Sequence, residues 1–327
     1  IYSFAEIEDF YTDIVKNIGC IFKDVKKLNT LQIVELARSE NLDIAIDLNG
    51  YISNNRVSIF SHKVAKIQIN YLGYPGSLGS NDFDYIIADK VVIPEGDEKF
   101  YSEKILRMPN CYQCNDNSKE ISDKIICRQD FNLPDKGFVF TCFNANKKIT
   151  SREFDIWMNL LKKIKGSVLW LYKSNELAVI NLYKEAEKRN VNPSRLIFAE
   201  SLPLAEHLAR HSLADLGLDT FIYNGHTTTS DALWSGLPVL TKKGCSFASR
   251  VSASLLTTLG IPELISTSEE DYEKKAIYIA NNYEYLLRIK SKLVKLRKES
   301  LLFDSESFTR DLEGKFIEII DKFSKKI

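Results

Sequence analysis

Asn224-Gly225-His226-Thr227-Thr228-Thr229-Ser230-Asp231 places a run of hydroxyl residues behind a glycine and a histidine, at the head of an apolar helical stretch. Small hydroxyl residues at a helix start leave backbone N–H and side-chain O–H groups pointing one way. The helix dipole adds partial positive charge at the same end. That combination suits a phosphate or pyrophosphate against His226, Thr227 and Thr228. Asp231, one turn in, is placed to accept from a sugar hydroxyl. The bland alternative is an ordinary N-cap, and most such caps bind nothing.

Two more loops follow apolar strand-like runs, where open α/β sheets bind ligands. Phe143-Asn144-Ala145-Asn146-Lys147-Lys148 comes after the run 138–143, and Lys148 there is positioned to neutralise a diphosphate; the alternative is a solvated lysine. The loop from Ser201 through Leu202 and Pro203 opens a helix carrying His207 and Arg210, three apart on one face. They offer a flat ring for stacking and a donor fork for a base edge, although a lone helix histidine is more often a satisfied surface group. Earlier in the chain, Leu72-Gly73-Tyr74-Pro75-Gly76-Ser77-Leu78-Gly79 specifies a tight, backbone-exposed loop expected to face the same cleft, or simply a turn. Asp82-Phe83-Asp84 has the look of a DxD metal motif, but it abuts a strand and reads better as a strand-entry turn. Cys111-Tyr-Gln-Cys114 is a lone CxxC without a second ligand pair, so no metal is inferred.

These loops need a scaffold of strands and helices. Strands are expected at 42–48, 67–72, 85–92, 105–108, 138–143, 168–172, 196–198 and 238–241. Helices are expected at 5–18, 31–39, 153–164, 176–189, 204–211, 246–259, 270–281 and 307–323. In the third helix Phe154, Trp157, Leu161 and Ile164 fall on one face. The alternation predicts an α/β fold with parallel sheets. A polar break at 115–124 predicts a linker there, between an N-terminal α/β block over 1–114 and a second over 125–304, with a C-terminal helix over 305–327. Lys+Arg and Asp+Glu both number 44, which removes a global basic field and argues against a nucleic-acid partner. No apolar run approaches a membrane span. Six cysteines without a secretory leader fit a reducing, cytoplasmic setting.

In this order the segments resemble the catalytic region of the O-linked N-acetylglucosamine transferase family, which includes plant Spindly proteins and bacterial relatives. The resemblance rests on Asp47-Leu-Asn-Gly-Tyr51, Tyr71-Leu-Gly-Tyr-Pro-Gly76, Phe143-Asn-Ala-Asn-Lys-Lys-Ile149, Ser167-Val-Leu-Trp-Leu171, Asn224 through Pro238, and Ala248-Ser-Arg-Val-Ser-Ala253. It covers nearly the whole chain. It implies a GT-B type fold, two Rossmann-like domains facing across a cleft: an incomplete, acceptor-side domain over 1–114 and a nucleotide-sugar-binding domain over 125–304, with the C-terminal helix over 305–327 returning to the first. It also implies inverting, metal-independent transfer of N-acetylglucosamine or a related sugar from a UDP-sugar to Ser or Thr of a protein or peptide, with no cofactor beyond that co-substrate. GDP-fucose is the alternative donor. By position, Lys148 matches the lysine on the diphosphate and is the catalytic candidate, and His207 matches the base-stacking histidine. Arg210 matches the arginine near the base edge, His226, Thr227 and Thr228 the phosphate segment, and Asp231 the ribose-holding residue. Leu202 belongs to the donor loop, and Gly73, Tyr74, Pro75 and Gly76 to the cleft loop. The family's candidate catalytic histidine and its helical repeats are expected upstream of residue 1, so a remnant that binds donor without transferring it is a further alternative.

Overall fold

In the computed structural model, which describes residues 1–325, the β-branched runs form short parallel strands and the amphipathic stretches form covering helices. Residues 326 and 327, the end of the expected C-terminal segment, lie outside the described residues. The chain divides into two units. One holds Ile1–Ile87, Glu98–Leu106 and the residues from Glu318; the other holds Ala88–Asp97 and Arg107–Ile317.

The first unit contains β1 (Tyr2–Ser3), α1 (Phe10–Asn17), β2 (Lys23–Asp24), α2 (Thr30–Ser39), β3 (Ile44–Asp47), β4 (Ile67–Asn70), β5 (Tyr85–Ala88) and β6 (Lys104–Arg107). β1 pairs in parallel with β2, and a separate four-stranded sheet has the order β3-β4-β5-β6. α1 starts later than expected, because Asp9 accepts from the Thr12 N–H and closes a capping box there. β4 is buried along its whole length, Gln68 included. Its Oε1 accepts from the Val64 N–H and its Nε2 donates to the Phe60 and Asp82 carbonyls. Asp84 accepts from the Gln68 N–H and pairs with Lys63 at 2.8 Å, so the Asp-Phe-Asp triplet works as a strand-entry turn.

The second unit contains β7 (Val139–Cys142), α3 (Ser151–Lys163), β8 (Val168–Tyr172), α4 (Glu176–Lys188), β9 (Leu196–Ala199), α5 (Leu204–Arg210), β10 (Leu216–Leu218), α6 (Thr227–Trp234), β11 (Val239–Lys242), α7 (Val251–Leu259), β12 (Ile265–Ser266), α8 (Glu269–Asn281), α9 (Tyr283–Glu299) and the part of α10 (Ser305–Ser324) that precedes Glu318. Its sheet runs β12-β11-β10-β7-β8-β9. Counted within the unit this is the doubly wound order 3-2-1-4-5-6, whose switch point lies between β7 and β10. Phe154, Trp157 and Leu161 of α3 are buried together with Ile164, as their spacing predicts.

Several expectations need correction. The run expected over 85–92 ends at Ala88, because Asp89 accepts from the Val91 and Val92 N–H groups and turns the chain. Asp89 also accepts from the Tyr112 N–H and the Ser254 hydroxyl, which holds this turn to the second unit. The boundary expected at residue 114 therefore differs from the observed division, with 88–97 and 107–114 packing with the second unit. The polar stretch expected as a linker also runs along that unit. Asn115 donates to the Leu302 carbonyl and accepts from Ser230, Lys119 pairs with Asp231, and the Ser122 N–H donates to the Ala205 carbonyl. The helix expected over 246–259 is a 3-10 turn, Phe247–Ser249, followed by α7. β10, β12 and α9 have no counterpart in the sequence reading.

Candidate functional site

Asp219, at the carboxyl end of β10, organises the switch point. It is 1% exposed. Its Oδ1 accepts from Asn144 Nδ2 (3.1 Å), the Thr220 N–H (2.9 Å) and the Gly225 N–H (2.7 Å), and its Oδ2 from the Thr241 hydroxyl (2.7 Å). Burial nevertheless pushes this carboxyl above its ordinary range. One carboxylate thus ties the loop after β7 to the loop after β10. The tie requires glycine at 225, since a Cβ there would stand 2.4 Å from Thr229 Oγ1 and 2.9 Å from Asn144 Oδ1.

Lys148 reaches across from the β7 loop. Its Nζ donates to the Asn224 carbonyl at 2.9 Å and sits 4.2 Å over the Tyr223 ring. Burial lowers the ammonium below its ordinary range, with Asp219 opposing that shift at longer range. No carboxylate among the described residues makes an ion pair with it. A half-buried cation held only by a carbonyl and a ring face is poorly compensated.

α6 begins beside it. His226 occupies the N-cap position with no side-chain cap bond to the helix, so the first-turn amides lack that protection. Its ring stacks on Tyr223 at 4.8 Å and 18°. Burial, with Lys148 adding repulsion, pushes it down to about 3, so it is neutral near pH 7. The hydroxyl run divides. Thr227 is exposed and Thr228 half-buried, whereas Thr229 bonds Ser252 (2.9 Å) and Ser230 bonds Asn115 (2.7 Å) in the interior. Asp231 is mostly buried, and Lys119 Nζ lies 2.6 Å from its Oδ1. The Trp234 indole donates to the Lys119 carbonyl (3.0 Å), fixing that residue against α6.

A recess of about 410 Å³ opens beside β8 and α5, lined by Phe143, Ala145, Tyr172, Leu202, His207 and Arg210 among others. Arg210 is 1% exposed. It donates to the Glu200 carbonyl (2.6 Å) and to His207 Nδ1 (2.5 Å), and its guanidinium lies 4.6 Å over Phe143. An arginine only donates, so His207 Nδ1 accepts and its proton sits on Nε2. Burial first, then Arg210, lowers His207 to about 4. His211, next on the chain after Arg210, packs edge-on to His207 at 4.8 Å and gives its Nδ1–H to the His207 carbonyl (2.8 Å). The recess therefore presents a neutral ring backed by a buried cation. Arg210 Nε and Asn224 Oδ1 are both buried without a protein partner.

The cleft-loop residues belong to the first unit. A Cβ at Gly73 would lie 2.2 Å from the Leu48 carbonyl oxygen, and Tyr74 packs edge-on to Tyr51 at 5.6 Å. Pro75 is buried, and the Gly76 carbonyl accepts from Asn70 Nδ2 (3.0 Å). Buried Glu103 orders the rest of this loop through Ser77 (2.6 Å) and the Leu78 N–H (2.8 Å). Lys148, His226, Thr227, Thr228 and Asp231 thus share the β7–β10 end of the second unit, with Leu202, His207 and Arg210 in the adjoining recess. Asp219, Asn144, Tyr223 and Lys119 are site residues that sequence reading misses. The only signal for Asp219 is an acidic residue closing a very short apolar run.

The sequence pattern of glycosyl transferase family 41 matches residues 21–126 and 114–312. A probable UDP-N-acetylglucosamine–peptide N-acetylglucosaminyltransferase SEC from Arabidopsis thaliana is 34% identical over 304 residues, covering 91% of this chain and 31% of its own length. The probable transferase SPINDLY of Solanum lycopersicum is 29% identical over 313 residues, covering 93% of this chain and 33% of its own length. The chain spans about a third of the length of these curated relatives. A mutant of the Thermobaculum terrenum O-GlcNAc transferase superposes with a TM-score of 0.92 at 27% identity, over 99% of this chain and 62% of that one. The pair of α/β units on parallel sheets is the GT-B type of fold. By the span of the family pattern and these relatives, the chain belongs to glycosyl transferase family 41.

Proposed function

We propose that the second unit binds the nucleoside diphosphate of a UDP-sugar, and that the protein transfers N-acetylglucosamine or a related sugar to Ser or Thr hydroxyls of a protein or peptide. The observation that carries this reading is the poorly compensated Lys148 ammonium beside the uncapped start of α6. A diphosphate placed there meets one full positive charge, the helix dipole and the amides and hydroxyls of Thr227 and Thr228. As the sugar departs, negative charge builds on the bridging phosphate oxygen. Fixed donors in a partly dry site stabilise that charge with no reorganisation at the moment of reaction. Lys148 and the helix start take the part that a divalent cation plays elsewhere, which supports a metal-independent reaction. Neutral His226 supplies shape and hydrogen bonding rather than charge.

The recess at His207 and Leu202 takes the base, with the His207 ring as its stacking surface and Arg210 holding that ring in place. Asp231 faces the ribose, and its carboxylate is already oriented by Lys119. The acceptor oxygen bonds the anomeric carbon on the face opposite the leaving diphosphate, the carbon–phosphate-oxygen bond breaks, the hydroxyl proton passes to an oxygen of the departing diphosphate, and the anomeric centre inverts. The deciding experiment is calorimetry of the chain with UDP, GDP, UDP-N-acetylglucosamine and GDP-fucose. UDP and its sugar are expected to bind most tightly; equal or tighter GDP binding overturns the uridine assignment. Transfer of labelled sugar to a Ser/Thr peptide by the same chain tests the catalytic half of the proposal.

A further inference from the structure

Lys119 and Asp231 come from a polar stretch and a helix more than 100 residues apart, and meet with their side chains 13% and 9% exposed. A single bond of 2.6 Å joins them, from Lys119 Nζ to Asp231 Oδ1. An ammonium has three donors and a carboxylate two accepting oxygens. Among the described residues no other group bonds either charge, so two N–H donors and the Oδ2 atom are left over. Spare hydrogen-bonding capacity on charges largely withdrawn from solvent is costly until something takes it up.

The pair is not what anchors its two segments. The Trp234 indole donates to the Lys119 carbonyl (3.0 Å), and Asn115 accepts from the Ser230 hydroxyl (2.7 Å) and donates to the Leu302 carbonyl (3.2 Å). Trp234 is itself held by Arg297, which donates to its carbonyl (2.8 Å) and lies 5.3 Å over its ring, and by Phe303 edge-on at 5.0 Å. These contacts fix the Lys119 backbone against α6 whatever its ammonium does. A tie of that kind needs no charges, and apolar groups often replace a buried ion pair without loss of stability.

Helical spacing gives the pair a direction. Asp231 follows Thr227 and Thr228 by four and three residues, so all three share a face of α6, whereas Thr229 and Ser230 turn to interior bonds. That face begins at the helix start and reaches the ion pair one turn on, about 5 Å away. A 5′-phosphate at the start carries its ribose on the next three carbons, which brings the 2′- and 3′-hydroxyls level with Lys119 and Asp231. The mixed charge selects the ligand group. The carboxylate repels a further phosphate. A neutral cis-diol gives one O–H to Oδ2 and presents its other oxygen to the ammonium, and both bonds are charge-assisted.

We infer that Lys119 reads the ribose jointly with Asp231, as a specificity-determining residue that makes this site select ribonucleotides over deoxyribonucleotides. The inference rests on the nucleotide reading proposed above and adds to it a ligand contact from the polar stretch.

Calorimetry of the whole chain with UDP, 2′-deoxy-UDP and 3′-deoxy-UDP tests it, in the wild type and in Lys119→Met, which keeps the aliphatic stem. In the wild type each deoxy nucleotide should bind about 10- to 100-fold more weakly than UDP, the worth of one hydrogen bond to a charged group. Lys119→Met should weaken UDP by a similar factor, and the deoxy nucleotide that lacks the Lys119 partner should bind the variant as it binds the wild type. Wild-type affinity that is equal for all three nucleotides, or reduced by loss of only one hydroxyl, overturns the inference without recourse to any variant. Unchanged UDP affinity in Lys119→Met also overturns it, as does an equal loss for all three, the result of a merely structural ion pair. Failure of UDP itself to bind the wild type would instead overturn the nucleotide reading, and this inference with it.

Discussion

Lys148→Met separates the proposed binding role from a structural one, because the two predict opposite signs. The ammonium is half-buried, lowered by desolvation, and held only by the Asn224 carbonyl at 2.9 Å and the Tyr223 face at 4.2 Å. Removing a desolvated, poorly paired charge while keeping the aliphatic stem costs the free protein little and is expected to raise its Tm slightly. For the diphosphate complex the sign reverses. One charge-assisted hydrogen bond to phosphate contributes about 1.5–3 kcal/mol, a loss of roughly 10- to 150-fold in Kd. Uridine has no phosphate and should bind the variant as it binds the wild type. Isothermal calorimetry with UDP, UMP and uridine, beside a thermal melt of each protein, reads both signs at once. Affinity for UDP should also fall on the alkaline side sooner than an ordinary lysine allows, since the lowered group loses its proton earlier. An equal loss for uridine and UDP, or a lower Tm with unchanged UDP affinity, would refute the reasoning.

Gly225→Ala drives a methyl against Thr229 Oγ1 and Asn144 Oδ1; it should cost about 1–3 kcal/mol by overpacking and weaken UDP binding, read by urea melts and calorimetry. Asp219→Ala strands several buried donors and should cost about 3–5 kcal/mol. Asp219→Asn should cost distinctly less, because its carbonyl keeps the Oδ1 contacts and the Thr241 hydroxyl can turn to accept; equal losses in urea titration would deny Asp219 its organising role. Burial holds His211 and His226 at about 3, below the value of about 6.5 for an unfolded histidine. Above pH 6.5 both states leave them neutral, and below it only the unfolded chain takes up the protons. Stability should therefore fall from pH 6.5 downward, by about 2 kcal/mol per histidine at pH 5. His211→Asn should flatten that slope, and denaturant melts from pH 7.5 to 5 check it.

What the sequence revealed depended on whether one residue's type already stated its task. Lys148, the hydroxyl run and Gly225 were legible because their spacing after apolar runs carries its own chemistry. β10 was not: Leu216-Gly217-Leu218 is three residues long, and its glycine lacks β propensity. That glycine is explained only by the adjacent strand β11, since a Cβ would meet Val239 Cγ2 at 3.0 Å. Asp219 stayed hidden with it, because an aspartate after a short run reads as a turn until four donors converge on it. Lys119 lay in a polar stretch whose composition indicates solvent, whereas its position is set by the Trp234 indole and Asp231, more than 100 residues away. α9 went unread because its long charged side chains hide a thin apolar stripe of Leu286, Ile289 and Leu293.

The Asp219 tie bears on the order in which the protein acquires its properties during synthesis. Its donors come from Asn144, Gly225 and Thr241, and the Lys148 contact also spans 76 positions. A ribosome extending the chain at about 5–20 residues per second must release everything through β11 before the last of these bonds, that of Thr241, can close. Nucleotide in the cell can stabilise only what binds it, so it gives nascent chains no help until the second unit is nearly whole. Ligand rescue of a destabilised variant should accordingly act on the finished protein and leave early folding failures untouched.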